Sequence, residues 1–249
     1  MDRISAVATR RLGRAESHFK TVQRRLFDEQ RENVLGRLAL QPAMARANGG
    51  HEKAPPDSLF DPQAWMDVYI ARGRPLALEI LSSAGAEAAT DFGLGRFDPS
   101  RQSVRDWIAK RVALWADTVN METARLLSGE ILEGLAADEG IPGLSTRVEK
   151  VFAFNDEVRA ERIARTEALS AVSRGHLEAY EQSGVVEKKV WISAQDERTR
   201  ETHLEAHGQI VGLYDSFLVG GERLEAPGIG GSPANSINCR CAVAPVIER

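Results

Sequence analysis

The sequence has no apolar run near the roughly 18 residues needed to cross a bilayer, and its first residues, MDRISAVATRR, lack the apolar core of a secretory signal. The expectation is a chain made in the cytosol. Cysteine is scarce: Cys239 and Cys241 are the only two, one residue apart. A disulfide between them would close a very small, strained ring, so reduced thiols or thiolates are expected. Aromatic residues make up 6% of the chain, while alanine, aliphatic and charged residues dominate, a composition that argues for a helix-rich protein and against a sandwich or barrel. No GxxxxGK[ST], no GxGxxG after a strand and no GxSxG occurs, so a phosphate-cradling loop and a nucleophile elbow have no local support.

Charge is unevenly placed. Residues 1–46 carry ten Lys and Arg against five acids, a net of +5, which leaves −9 on the remainder of a chain whose total is −4. A basic segment on an acidic body calls for an acidic partner: either double-stranded DNA, met without sequence preference through phosphates, or an acidic protein surface. The candidate nucleic-acid contacts are Arg10, Arg11, Arg14, Lys20, Arg24 and Arg25. A solvated helix face accounts for the same charges.

The 249 residues suffice for one large domain or two small ones. Apolar residues at Ile4, Ala8, Leu12, Ala15, Phe19, Val22 and Leu26 step by three and four, drawing one stripe along an amphipathic helix. This helical arm, residues 1–46, gives way to a Gly- and Pro-rich linker at 47–58. A helical body is expected over 59–184: Pro62 suits a first turn, Pro75 predicts a kink or split, and a break is expected near Asp117 to Met121. Gly184 stands where the long helix of the body should end. From 185 to 249 the character changes. EKKVWIS and CRCAVAPVI read as strands, FLVGGERLEA as a hairpin turning at Gly220 and Gly221, and RTRETHLEAHG as a short helix stopped by Gly208. The fold class is therefore α+β, mostly helical, with a small C-terminal α+β module.

The chemistry-bearing residues gather in that module. His203 and His207 are spaced i, i+4, which on a helix puts both imidazoles on one face; Cys239 and Cys241 are spaced i, i+2, which on a strand does the same for both thiols. Two imidazoles and two thiolates make a tetrahedral set suited to one structural Zn2+, with Asp196 near enough in sequence to orient a ring. Against this, CxC is not the usual CxxC knuckle and no HExxH is present, so buried cysteines and hydrogen-bonded histidines explain the same residues. His18, His51 and His176 read as solvated or hydrogen-bonded side chains, and Trp107, Trp115 and Trp191 as core.

ARTEALSAVSRGHLEAYEQSGVVEKKVWISAQDERTRETHLEAHGQ, a loop carrying PG, and a terminal NCRC resemble, in that order and spacing, the phage Mu F-like family of minor head or head morphogenesis proteins. Upstream, RVEKVF and RAERIARTE resemble the helical region that precedes the module in that family, so the likeness covers about residues 100–249 and is strongest over 160–245. It implies a non-enzymatic virion component, present in few copies in the phage head and in the host cytoplasm during assembly. Its implied partners are the portal protein and other head or capsid proteins, and its implied work is head assembly, DNA packaging or DNA delivery. The family pattern lands on Arg165, Thr166, Glu167, Asp196, Arg198, Thr199, Arg200, His203, His207, Gly208, Asn238, Cys239, Arg240 and Cys241. Some relatives carry CxxC where this chain has Arg200 and His203, which makes a metal plausible for the family and leaves its ligand count here open. Without a metal, Arg165, Thr166, Glu167, Asp196, Arg198, Thr199, Arg200, Asn238 and Arg240 suit a structural network of ion pairs and hydrogen bonds joining the long helix to the module. The rival class is a metal-dependent nuclease or toxin-like enzyme using the His/Cys cluster, although no acidic cluster or positioned nucleophile accompanies it.

Overall fold

The computed structural model describes residues 2–47, 58–154 and 158–247, with side chains from residue 12 to 40 in the first segment. The expected linker therefore lies almost wholly outside the described residues, as do His51 and the side chains of Arg10 and Arg11. In chain order the elements are α1 (Asp2–Ala47), α2 (Pro62–Asp91), α3 (Gln102–Ala136), α4 (Ile141–Phe154), α5 (Ala160–Ser183), β1 (Lys188–Ile192), α6 (Glu201–Glu205), β2 (Ile210–Gly212), β3 (Phe217–Val219), β4 (Glu222–Ala226), β5 (Ile229–Gly230), α7 (Pro233–Ser236) and β6 (Ala242–Val246). The fold is α+β, and among the described residues every strand is C-terminal to α5.

Local chemistry sets several boundaries. Asp61 caps α2 by accepting the backbone N–H groups of Gln63 and Ala64 at 3.0 and 3.1 Å, with Pro62 at the first helical position, where its missing N–H is not needed. Gly184 leaves α5 with φ 66°, and Gly220 and Gly221 turn the β3–β4 hairpin with φ 56° and 81°, the two positive values a two-residue turn of this hand requires.

The expected break in α3 is corrected: the helix runs unbroken through Asp117 to Met121. Pro75 does not split α2, which is continuous across it. In α3, Asn120 is held by a tertiary contact, accepting a 2.7 Å hydrogen bond from Gln30, and just beyond it the Thr123 hydroxyl donates within the helix to the Val119 carbonyl. Burial of the neighbouring Trp115, Val119 and Leu127 outweighs the weak propensity.

The chain forms two compact units built from interleaved segments, one of residues 1–20, 74–109 and 162–249, the other of 21–73 and 110–161. These do not coincide with the segments 1–46, 59–184 and 185–249 read from composition, because the hydrophobic faces of α1, α2 and α3 are divided between the units.

In the second unit α1 buries Leu26, Phe27, Val34 and Leu38 together with Gln23 and Gln30. The predicted stripe drifts along the helix: Leu12, Phe19 and Leu26 are buried, whereas Ala15 and Val22 are only half-buried. Gln23 explains one polar intrusion. Its amide donates to the Tyr69 hydroxyl at 3.1 Å and accepts from the Trp115 indole at 3.0 Å. Arg147 on α4 forks onto Glu139 at 2.8 and 2.9 Å and reaches Glu130 and Glu133 at 3.1 Å.

In the first unit α5 is the central element. Gly175 brings it so close to α2 that a Cβ there would stand 2.4 Å from the Leu81 carbonyl. Ser170 and Ser173 donate to the carbonyls of Gly228 and Pro227 at 2.7 and 2.8 Å, docking the Pro-Gly loop, and Tyr180 donates to the Val243 carbonyl at 3.2 Å. Two antiparallel three-stranded sheets follow, ordered β2-β1-β6 and β3-β4-β5, with Trp191 opposite Val243. Trp191 and Phe217 are fully buried with rings 5.4 Å apart.

Candidate metal centre

After the turn at Ile237 and Asn238, residues 239–241 lead into β6 with side chains that alternate between inside and outside. Cys239 and Cys241 turn inward, 1% and 2% exposed, and meet His203, 1% exposed, which α6 presents from the other side. His203 Nδ1 lies 3.6 Å from Cys239 Sγ and 3.5 Å from Cys241 Sγ. One ligand atom from each of the three falls within 4.8 Å of the others. The Trp191 ring stands edge-on to the imidazole, centroids 5.4 Å apart.

Asn238 and Arg240 turn outward and hold the run in place. Asn238 takes φ 58°, its N–H donates to the Thr166 hydroxyl at 3.2 Å, and its side-chain oxygen accepts from Arg165 at 3.4 Å. Arg240 forks onto both Asp196 oxygens at 2.5 and 2.6 Å. The Asp196 carboxylate also accepts the Thr199 hydroxyl and the Arg198 backbone N–H, each at 3.0 Å. Burial pushes Asp196 up, but Thr199, Arg240 and the Arg198 N–H outweigh it and hold the carboxyl below its ordinary range. Arg200 donates to the Ile237 carbonyl at 2.6 Å. Most of the expected network is thus in contact; Arg198 enters through its backbone N–H, and Glu167 sits half-buried on α5.

The fourth expected ligand is elsewhere. The Nδ1 of His207 accepts the Ser193 N–H at 3.1 Å, and His207 is not among the clustered ligand atoms. The cause is length: α6 ends at Glu205 and the chain turns through Ala206 to a left-handed Gly208, so the i, i+4 face that joins the two histidines on paper is never built.

The electrostatics of the two thiols are unequal. The hydrogen bond between them lowers Cys241 and raises Cys239; burial raises both, and His203 and the Ala194 N–H add to the lowering of Cys241.

Sequence reasoning missed the supports around this cluster. Lys189 is fully buried on β1, donates to the Glu225 carbonyl at 2.9 Å and lies 5.5 Å over the Phe217 ring. Nothing in the sequence distinguishes it from the exposed Lys188 beside it except strand alternation. Also missed was a groove of about 690 Å3 lined by Arg14, His18, Glu79, Asp91, His176 and Tyr180. Its trace in the sequence is the four-residue stepping of Glu79, Ser83, Glu87 and Asp91 along one face of α2.

Comparison with known proteins places the site in a family. The family described as Phage Mu protein F like protein matches residues 127–244, a span that contains α4, α5, all of the cluster and both sheets through Ala244. Residues 127–244 thus match a Mu F-like module. Minor head protein GP7 of Bacillus phage SPP1 is 30% identical over 171 residues, covering 65% of this chain and 55% of GP7. NAD(+)--arginine ADP-ribosyltransferase EFV of Enterococcus faecalis is 28% identical over 149 residues, covering 57% of this chain and 28% of that protein. An uncharacterized Haemophilus influenzae protein is 28% identical over 123 residues, 49% of this chain and 23% of its own length. The chain thus spans about half of GP7 and about a quarter of the other two. No solved structure matches it. Among the described residues no helix is long and apolar enough to cross a membrane.

Proposed function

We propose that this Mu F-like chain is a phage minor head protein, a virion component that docks on the portal and neighbouring head proteins and serves head assembly, DNA packaging or DNA delivery. The observation that carries this reading is the 30% identity with Minor head protein GP7 across 65% of the chain, a stretch too long to be the Mu F-like match of 127–244 alone. The hydrogen-bonded ring around the cysteines supports it too: Arg165, Asp196, Arg200 and Arg240 are each bound within the fold, as befits a structural part. Particles purified from the strain that encodes the chain should contain it at a few copies per head and yield it with the portal on gentle disruption. Heads that lack it, or that form and fill normally when its gene is deleted, overturn the proposal.

Contact with packaged DNA falls to the basic face of α1. Arg14 and Arg25 are exposed there, while Lys20 and Arg24 are half-buried. Retention of duplex DNA at low salt, falling steeply as salt rises and weakened by Arg14→Gln with Arg25→Gln, is expected of phosphate contacts. Unchanged retention by that pair of substitutions makes the face a protein-docking surface instead.

One relative's name favours a second reading, an enzyme of the transferase type. Transfer of label from NAD+ to an arginine acceptor by the purified chain, or metal-stimulated cleavage of nucleic acid abolished by His207→Ala, would replace the structural reading.

A further inference from the structure

We propose that His203, Cys239 and Cys241 bind one Zn2+ through Nδ1 and both sulfurs, with a water as the fourth ligand, so that the metal staples α6 to the start of β6. This goes beyond the head-protein reading and stands independently of it. The donor set comes first. Two thiolates and a neutral imidazole are soft and borderline ligands that select zinc over the oxygen-loving cations.

The spacing is the second observation. With Zn–S about 2.3 Å and Zn–N about 2.0–2.1 Å, a tetrahedral S–Zn–N angle sets sulfur and nitrogen about 3.6 Å apart. His203 Nδ1 stands 3.6 and 3.5 Å from the two sulfurs. The ring has no competing engagement: Nε2 is buried without a hydrogen-bond partner, so the sulfurs alone answer its polar side. Metal binding requires the tautomer with its proton on Nε2, which aims the Nδ1 lone pair at the shared centre.

A supporting ring of the kind that surrounds bound metals is already in place. The Ala194 N–H bonds to the Cys241 sulfur, and Arg240, Arg200 and Asn238 fix the peptide run that carries both thiols. A cavity of about 20 Å3 lies beside Cys241, lined also by Ser193, Ala194 and Arg240. That is room for one water. It shares Val172, His176, Ala242 and Val243 with the larger groove. Binding requires both sulfurs as thiolates, so any proton they carry is released to solvent.

The test uses the full chain purified without chelator, and the same protein refolded with Zn2+ alone. Mass spectrometry for metals should find about one zinc per chain, X-ray absorption two sulfur and two nitrogen or oxygen neighbours, and His207→Ala should keep the full complement. Cys239→Ser or Cys241→Ser should lose most of it. Should those variants not fold, the wild-type stoichiometry and His207→Ala still decide. Less than about a tenth of an equivalent in folded, zinc-refolded wild type overturns the proposal, as does another metal in its place. Loss of zinc in a folded His207→Ala variant overturns the three-ligand assignment.

Discussion

Asn238 is the residue on which the alternation before β6 turns. Its φ of 58° lies in the left-handed region, open to glycine and tolerated by asparagine but hostile to a β-branched side chain. Stability should therefore rank Gly and Asn above Ala and Ala above Val, with Asn238→Val losing about 1–3 kcal/mol in chemical denaturation. A flat series across the four residues would show that the strain is relieved elsewhere. Its neighbour Thr166 offers a second single-atom test. The hydroxyl accepts the Asn238 N–H and donates to the Arg162 carbonyl at 2.8 Å, so Thr166→Val keeps the shape and removes both bonds, an expected loss of about 1 kcal/mol. At this scale the sequence was partly readable. The pairing of two cysteines one residue apart follows from strand alternation alone, and His203 follows from its place on a short helix. The exclusion of His207 does not, because it depends on where α6 stops, and helix ends respond to contacts as much as to residue type. Lys189 was unreadable for the same reason, since alternation says that one of two adjacent lysines turns inward but not which.

Among the elements, α5 shows how close packing is encoded. Gly175→Ala would set a methyl 2.4 Å from a main-chain carbonyl of α2, and main chain cannot step aside as a side chain can. A loss of about 1–3 kcal/mol is expected. Gly129, inside α3 with open space around it, predicts the opposite sign: Gly129→Ala should gain about 0.5–1 kcal/mol through lower unfolded-state entropy. The α4 clamp has a pH signature. Lys150 with Arg147 lowers Glu130, and Arg147 lowers Glu139. Carboxyls held below their unfolded values stabilise fully above the ordinary glutamate pKa, about 4.3, and lose that contribution as pH falls through the lowered values. Amide-exchange protection in α4 should therefore fall selectively on acidification below about pH 4, and Arg147→Ala should weaken the dependence, leaving the part that Lys150 imposes through Glu130. The elements themselves were legible where a single residue decides an end, as at Pro62, Gly184 and the Gly220–Gly221 turn. They were not legible across Asp117 to Met121, where α3 survives because Asn120 and its apolar neighbours are buried, a fact held by other segments of the chain.

For the whole molecule the unequal charge of the two ends survives as a surface property of α1, but the idea of a detachable arm does not fit its burial. Removing residues 1–46 would take Leu26, Phe27, Val34 and Leu38 from one unit and Leu12 and Phe19 from the other. The truncated chain should lose its cooperative melt and bind a hydrophobic dye; a sharp transition with no dye binding would restore the arm. Charge substitutions on α1 are accordingly the cleaner probe of DNA contact. The interleaving of the units could not be read from composition, which registers local changes along the chain and is blind to segments that return after a hundred residues.

The alternation of Asn238, Cys239, Arg240 and Cys241 has a consequence for how such a sequence can change. Odd positions face the buried pocket and even ones face α5 and the 196–200 loop, so the stretch carries a parity. Losing one residue would exchange the two sets, driving a guanidinium into the pocket and a thiol onto the surface. Losing or gaining two would shift the run yet keep its sides. Length variation at this point is thus confined to even steps, and a library of one- and two-residue insertions after Ile237 should sort into unfolded and folded classes by that rule alone.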